Sequence, residues 1–421
     1  MKTKYLIVGA GISGLTFANY SDDDYLIVEK EKEVGGYCRT VKRNGYTWDF
    51  GGHFFHFKTD EFKKKFIDKM KQEDIIYNNK CTKILYKGKF IDFPFQTNIH
   101  QLEKDEFIDC LYDLFNKSEK EKYDNFLDML YGKFGKSIVE KFLKPYNEKL
   151  YATDLRNLDV DAMGRFFPYA DKEAIINNMK NSKVNSYNST FLYPKNGAGS
   201  FIEILYNNLD KNKVLLNTKV ESIDLKEKRA QLSNGKSVEY EYLINTMPLN
   251  KFLKAITGYD ELLKELSYNK VLILNLGFDK SSPRCKEEHW IYIPDKNCNF
   301  YRAGFYNNIL GDEKLSMYIE IGFNKDDKIT DKIIEKELNE TLINLKKENI
   351  IDDTMKLIDY EPIVMDPAYV HINTETTKKI DLLKSELKKQ NVYTIGRYGA
   401  WIYNSMEDSM ISAKELAEEL K

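Results

Sequence analysis

The sequence predicts a mixed α/β and α+β protein built around an N-terminal βαβ unit. Three observations predict it. The stretch Lys4-Tyr5-Leu6-Ile7-Val8 is an apolar run of strand length that closes on Gly9, Gly11 and Gly14; a helix-like segment follows, and a second strand, Tyr25 to Val28, ends at Glu29. From His100 to about Ala170 apolar residues recur at helical spacing, as in Phe107, Leu111, Leu114 and Phe115. From Val271 to about Asn373 the pattern turns to alternation, as in His289-Trp290-Ile291-Tyr292-Ile293.

Strand, glycine turn, helix, strand and acid, in that order, form the setting a dinucleotide fingerprint requires. Gly9 allows the tight turn, Gly11 lets backbone approach a pyrophosphate, and Gly14 lets the helix pack on the sheet. Glu29, 20 residues after Gly9, is placed to accept a hydrogen bond from a ribose. The helix N-terminus, with Ser13 in its first turn, offers unpaired N–H groups to phosphates. A second glycine loop with an arginine, Glu33-Val34-Gly35-Gly36-Tyr37-Cys38-Arg39-Thr40, follows the acid. That extension points to FAD rather than NAD. Asp49-Phe50-Gly51-Gly52-His53-Phe54-Phe55-His56 comes next, where paired glycines let backbone lie flat against a ring system. The expected flavin contacts are Gly9, Gly11, Ser13, Gly14, Glu29, Lys30, Gly36, Arg39, Gly52, His53 and Val220. Of the two histidines, His53 is the one expected to face the flavin.

The totals bound what else the chain does. Its 421 residues suffice for two or three domains. A net charge of -2 argues against general nucleic-acid binding. Five scattered cysteines with no CxxC and no Cys/His cluster give no reason to expect zinc or a disulfide framework, and fit a reducing cytosol. The chain starts directly in a strand, so no signal peptide is expected, and no apolar run approaches the ~20 residues of a membrane span. With 29 Tyr and 24 Phe, aromatic residues are plentiful; Tyr suits the lining of a polar ligand pocket.

The remaining elements follow in order. Residues 60 to 79 are charged and expected to be helical. Lys83 to Phe90 reads as a hairpin strand, and Phe90 to Asn98 as an extended aromatic segment held by Pro94. Tyr193 to Ser200 is a glycine loop leading into a helix, Phe201 to Leu209. Val214 to Tyr240 reads as short strands, and Tyr242-Leu243-Ile244-Asn245-Thr246-Met247-Pro248 as a buried strand ending in a Pro turn. A helix, Lys332 to Lys347, interrupts the strand-rich block. Val392 to Gly399 is a last strand and glycine turn, and Ser405 to Leu420 the closing helix. The expected architecture is an FAD-binding Rossmann-like domain of the glutathione-reductase type, with an inserted helical domain and an antiparallel substrate-binding sheet. Its expected extents are 1–98, 189–262 and 385–421 for the flavin domain, 99–188 for the helical domain and 263–384 for the sheet.

No GxSxG, HExxH or clear Cys/His pair supplies a nucleophile or metal site. The candidate ligand residues are Arg, Tyr, Trp and Asn instead, which suit a diphosphate, a stacked base and sugar hydroxyls. Here the chain resembles the UDP-galactopyranose mutase family of flavoenzymes, in order and along nearly its whole length. Gly51-Gly52-His53-Phe54-Phe55-His56 resembles that family's GGH/GPHxFH loop, Phe93-Pro94-Phe95-Gln96 its YPLQ segment, and Lys144 to Tyr151 its YNxKxW segment, with Tyr151 where Trp is usual. Trp290-Ile291-Tyr292 followed by Phe300-Tyr301-Arg302-Ala303 resembles WxY…FYRA of the eukaryotic branch at equal spacing. Gly396 to Tyr403 with Met406-Glu407-Asp408 resembles the C-terminal GRxGxxxY…D signature.

The resemblance implies roles. Arg302 grips the diphosphate with Tyr369 and Tyr403; Arg165, matched across a gap, is a second arginine beside flavin and phosphates. Arg397 and Met406 are flavin contacts. Phe93, Gln96, Asn147, Tyr151, Asn188, Trp290 and Tyr292 are substrate contacts, and His53 tunes the flavin. It also implies the reaction: reduced flavin N5 attacks the anomeric carbon, the diphosphate leaves, and the sugar reopens and closes through another hydroxyl. UDP-galactose is the expected substrate, with N-acetylgalactosamine, fucose, arabinose or a heptose as alternatives. NAD(P)H or a reductase is the expected electron source, and a homodimer the expected assembly. A flavin oxidase of the amine oxidase or protoporphyrinogen oxidase type, which shares the first 50 or so residues' pattern, is the alternative. A flavin-binding scaffold without activity is a third.

Overall fold

The computed structural model describes residues 1–22, 24–164, 167–180 and 189–421. Two seven-stranded sheets organise them. In the first, the strands lie in the spatial order Val220–Asp224, Arg229–Leu232, Ser237–Asn245, Lys2–Val8, Tyr25–Val28 and Val214–Leu215, and Val392–Thr394 pairs with the far end of Ser237–Asn245. Lys2–Val8 runs parallel to both neighbours, with Leu6 opposite Leu243 and Leu26. Both faces of this strand are buried, which is why it reads as a continuous apolar run rather than as alternation. Tyr5 and Ile7 enter a core with the helices Ile12–Tyr20, Gly199–Asn207 and Met406–Glu419, while Leu6 and Val8 face Phe252 and Leu253 on the other side.

The second sheet has the order Leu357–Met365, Asn269–Phe278, Ser316–Asn324, Arg302–Phe305, Trp290–Tyr292, Thr82–Tyr86 and Lys89–Asp92. It is antiparallel except where Trp290–Tyr292 runs parallel to Thr82–Tyr86. This differs from expectation in two ways. The sheet is mixed, and it includes the hairpin Thr82–Tyr86 and Lys89–Asp92, which precedes the strand-rich block expected from Val271. The reason is burial on two sides: Ile84 and Ile91 pack into the helical block while Leu85 packs with the sheet's other face.

The helical block contains Lys104–Phe115, Phe126–Phe134 and Lys144–Tyr151, the last preceded by a π-helical turn, Val139–Leu143. Its core includes Phe95, Phe142 and, from the second sheet, Tyr301. The charged stretch after residue 60 is α-helical only over Asp60–Ile67; a 3-10 turn, Gln72–Asp74, leads into Ile75–Asn79, a strand paired with Thr190–Pro194. There Ile75 is buried but Tyr77, on the same strand face, is exposed, so no clean alternation marks the strand in the sequence. No helix among the described residues is long and apolar enough to cross a membrane.

Candidate active site

A cavity of about 630 Å³ opens between the two sheets. The first sheet shapes its side mainly with backbone. Gly9 has φ +104°, and a Cβ there would sit 2.5 Å from Thr246 Oγ1. A Cβ on Gly14 would sit 2.1 Å from the Gly9 carbonyl oxygen, so these two positions exclude side chains. A Cβ on Gly11 would meet no protein atom within 4 Å, because Gly11 faces the cavity. Gly11 also starts the helix Ile12–Tyr20 without a side-chain cap, leaving that helix's first N–H groups for a ligand. Glu29 is buried; its Oε2 accepts from the Ala10 N–H at 2.8 Å and its Oε1 from the Glu31 N–H at 2.9 Å. It therefore braces the glycine turn as well as facing the cavity. Ser13, Lys30, Gly36, Arg39 and Val220 line the same side. Arg39 lies over the Phe50 ring at 4.7 Å and donates to the Gly36 carbonyl at 2.8 Å.

Two further turns complete this wall. Gly396 has φ +77°, and a Cβ there would lie 2.3 Å from Ser13 Oγ, so the C-terminal glycine turn rests on the first helix. Gly52 brings the other sheet close: its Cβ would sit 2.4 Å from Arg302 Nη2 and 2.5 Å from the Tyr318 hydroxyl. His53 follows. Burial, and then the charges of Arg397 and Arg302, lower its pKa to about 4, so the imidazole is neutral near pH 7. Its Nδ1 is buried without a partner.

Side chains shape the opposite side. Arg302 and Glu320 face each other across antiparallel strands. Arg302 Nη1 lies 3.5 Å from Glu320 Oε1, and Nη2 donates to the Tyr318 hydroxyl at 3.0 Å. The guanidinium also lies over the Trp290 ring at 5.6 Å. Burial works against its charge, but Glu320 more than offsets this and it stays protonated. Arg302 Nε and Glu320 Oε2 are left buried with no hydrogen-bond partner among the described residues, which marks them for a polar ligand. Tyr369 and Tyr403 stack at 5.8 Å, and the Arg397 guanidinium lies 4.4 Å from the Tyr403 ring while donating to the Asn404 carbonyl at 3.0 Å. Met406 lines the cavity beside them.

Of the other expected substrate contacts, Phe93, Gln96, Asn147, Tyr151, Trp290 and Tyr292 are not among the residues that line this cavity. Phe93 meets Tyr292 at 5.1 Å, and Tyr292 accepts from Trp290 Nε1 at 2.9 Å. Trp290 stacks on Phe54 at 5.0 Å, so it links the glycine loop to Arg302. Gln96 donates to the Pro168 carbonyl, and Asn147 to the Leu143 carbonyl one turn back at 2.6 Å; both keep an unpartnered buried oxygen. Tyr151 packs on Tyr369 and His371, its hydroxyl unpartnered. Arg165 and Asn188 lie outside the described residues. Sequence reasoning missed Glu320, Tyr318 and Tyr301. A signal existed: the alternation of Ser316 to Ile321 puts Tyr318 and Glu320 on one face, and a carboxylate in mid-strand needs a partner.

A family model described as flavin containing amine oxidoreductase matches residues 12–421. The chain belongs to this family. Its fold is accordingly the mixed α/β FAD-binding fold, and the open Gly11, the uncapped helix and the braced turn fit a flavin dinucleotide. Among solved structures, this family member superposes on a reduced UDP-galactopyranose mutase with a TM-score of 0.92 at 23% identity, covering 100% of this chain and 94% of the other. It superposes on a putrescine oxidase double mutant with a TM-score of 0.65 at 10% identity, covering 100% and 99%. In sequence it is 33% identical over 94 residues to the chloroplastic protoporphyrinogen oxidase of Nicotiana tabacum, 21% of this chain and 17% of that one. It is 45% identical over 53 residues, 12% of this chain, to an uncharacterized protein in the nifH2 3′ region of Methanothermococcus thermolithotrophicus. The matched segments span 17% and 51% of these two curated relatives.

Proposed function

We propose that the chain interconverts the pyranose and furanose forms of a nucleotide sugar, UDP-galactose first among them. The observation that carries this is Arg302: a half-buried guanidinium whose buried Nε has no partner among the described residues, held by Glu320 and Tyr318 on the cavity wall. Bound reduced flavin supplies the nucleophile for the anomeric carbon, with NAD(P)H or a reductase as the source of its electrons. The chain's own residues handle the departing diphosphate. Arg302 offers planar N–H donors to phosphate oxygens away from water, where such contacts are strongest. Burial keeps the Tyr369 phenol protonated, so it donates rather than repels. Arg397 adds a second positive charge behind Tyr369 and Tyr403. Glu320 fixes the guanidinium and presents its free oxygen to a sugar hydroxyl. Neutral His53 hydrogen-bonds at the flavin without adding charge. The superposition on a reduced UDP-galactopyranose mutase supports this reading.

A second reading, oxidation of an amine or a porphyrinogen, is favoured by the family and by the match to a protoporphyrinogen oxidase. An anaerobic turnover assay separates the two. Dithionite-reduced protein is offered UDP-galactopyranose, UDP-galactofuranose and other nucleotide sugars, with oxidised protein in parallel. Ring isomers formed only by reduced protein support the mutase. No isomerisation, with flavin bleached by an amine or porphyrinogen, overturns it.

A further inference from the structure

Glu407 is a buried carboxylate that the proposed reaction does not use. It lies in the first turn of the closing helix, Met406–Glu419, whose residues Met406 and Ser409 line the cavity. Its partners lie elsewhere, just after the glycine loop. Oε2 accepts from the Lys58 N–H at 2.7 Å; Oε1 accepts from the Thr59 N–H at 2.9 Å and from the Thr59 hydroxyl at 2.7 Å. The Lys58 ammonium reaches the adjacent Asp408 at 3.1 Å.

Thr59 is the residue that begins the helix Asp60–Ile67, yet its hydroxyl does not cap that helix. The hydroxyl is spent on Glu407. One carboxylate thus sits at the N-termini of two helices, where both dipoles favour negative charge. The segment it holds is the continuation of Phe50 to Phe54, which lines the cavity and carries His53. Between His53 and Lys58 the segment is also tied by the Phe55–Leu192 bridge, by the His56 Nδ1–Thr190 carbonyl hydrogen bond at 3.0 Å, and by Phe55 and Phe57 packing on Phe66 and Phe201. Five residues of chain, at most about 3.6 Å each, limit how far His53 moves while Lys58 is held.

We propose that Glu407 is a positioning residue: it locks the His53 loop against the start of the closing helix and so fixes where His53 sits at the flavin cavity. The inference holds whichever reaction the flavin performs. Asp408 cannot substitute, because its carboxylate is engaged with Ser405 N–H and hydroxyl in the helix's own capping box. Glutamine cannot substitute either, because its NH₂ faces a backbone N–H where Glu407 presents an acceptor.

The test uses the full-length chain. FAD dissociation constants are measured by titrating FAD into flavin-stripped protein, and the two-electron potential of the holoprotein by dye equilibration. Glu407→Gln is expected to weaken FAD binding about tenfold or more and to change the ratio of affinities for oxidised and reduced FAD about tenfold, a displacement of about 30 mV for a two-electron couple. Thr59→Val deletes one of the three bonds and is expected to shift the potential in the same direction by less. A lower melting temperature with unchanged FAD affinity and potential overturns the proposal. If Glu407→Gln does not fold, an unshifted potential in Thr59→Val overturns it as well.

Discussion

The two sides of the cavity are made of different material. On the first-sheet side, position is set by backbone: Gly9 at positive φ, Gly14 against a carbonyl, Glu29 on two N–H groups. On the second-sheet side, position is set by side chains crossing between strands: Arg302 to Glu320, Arg302 to Tyr318, Trp290 to Phe54. A backbone site accepts a generic group, a pyrophosphate, and tolerates little change in its glycines. A side-chain site accepts a particular shape and charge, and it changes whenever one strand residue changes. The first side should therefore govern whether flavin binds, and the second what is done with it.

The sharpest way to break that division is Arg302→Ala. It strands Glu320 as a buried carboxylate without its cation, a loss typically of about 3–5 kcal/mol when a buried pair is broken, and removes the donor proposed for the diphosphate. Turnover of the nucleotide sugar should fall by about 10²- to 10³-fold, in the range seen when one preorganised donor is deleted. FAD affinity should stay within about threefold, since every glycine contact remains. Loss of flavin from this variant would show that the two sides are not separable.

The mirror variant is Gly9→Ala. A side chain at φ +104°, 2.5 Å from Thr246 Oγ1, imposes strain of about 1–3 kcal/mol. That corresponds to roughly a 10- to 100-fold loss of FAD affinity. Turnover per bound flavin should be unchanged, measured at saturating FAD. A fall in turnover with FAD binding intact would assign Gly9 to the chemistry instead.

This contrast also explains what the sequence disclosed. Gly9, Gly11, Gly14 and Glu29 are close in sequence and act through backbone, so spacing alone conveys their geometry. Arg302 was reached by resemblance, from WxY…FYRA. Its partners Glu320 and Tyr318 were not: alternation puts them on one strand face, but that this face meets Arg302, 18 and 16 residues away, is set by cross-strand pairing. The pairing of the hairpin Thr82–Tyr86 and Lys89–Asp92 was not legible for the same reason: its parallel partner Trp290–Tyr292 lies some 200 residues away. Phe93, Gln96 and Asn147 were expected at a ligand and sit along the seam between helical block and sheet, where a pattern of aromatic and amide residues also serves packing.

Acid should act unevenly across the molecule. His53, His56, His289 and His371 all have pKa values lowered to about 4, in each case first by burial. Three of the rings are held by hydrogen bonds: His56 to the Thr190 carbonyl, His289 to the Cys81 N–H, His371 to Ser267 and the Tyr151 carbonyl. The unfolded chain takes up these protons near pH 6.5 and the folded chain only near 4. The unfolded state therefore binds more protons in that window, and stability falls as pH is lowered through it. Asp49, raised to about 6 by burial, has the opposite sign: the folded chain binds its proton first, which favours folding between about 6 and 4. One group opposes four, so melting temperature should drop steadily from pH 7 to pH 4.5. None of the four histidines belongs to the glycine turn, so flavin release should lag behind loss of turnover in the same titration.

The smallest effect expected is that of Tyr301→Phe, and its sign is informative. The Tyr301 hydroxyl is buried near Glu320 but makes no hydrogen bond of good geometry, and the ring packs in the helical block's core. A buried hydroxyl without a partner costs stability, by about 1–3 kcal/mol when nothing replaces its water. Deleting it while keeping the ring should leave the melting temperature unchanged or raise it. If the hydroxyl is kept for the ligand, KM for the nucleotide sugar should rise by about tenfold, the cost of one hydrogen bond of about 1.4 kcal/mol. A variant that is more stable and binds substrate more weakly would show stability given up at this position for recognition, on the side of the cavity where side chains set the geometry. A variant that is less stable with KM unchanged would make Tyr301 a core residue, and would move the boundary of the substrate side back to Arg302.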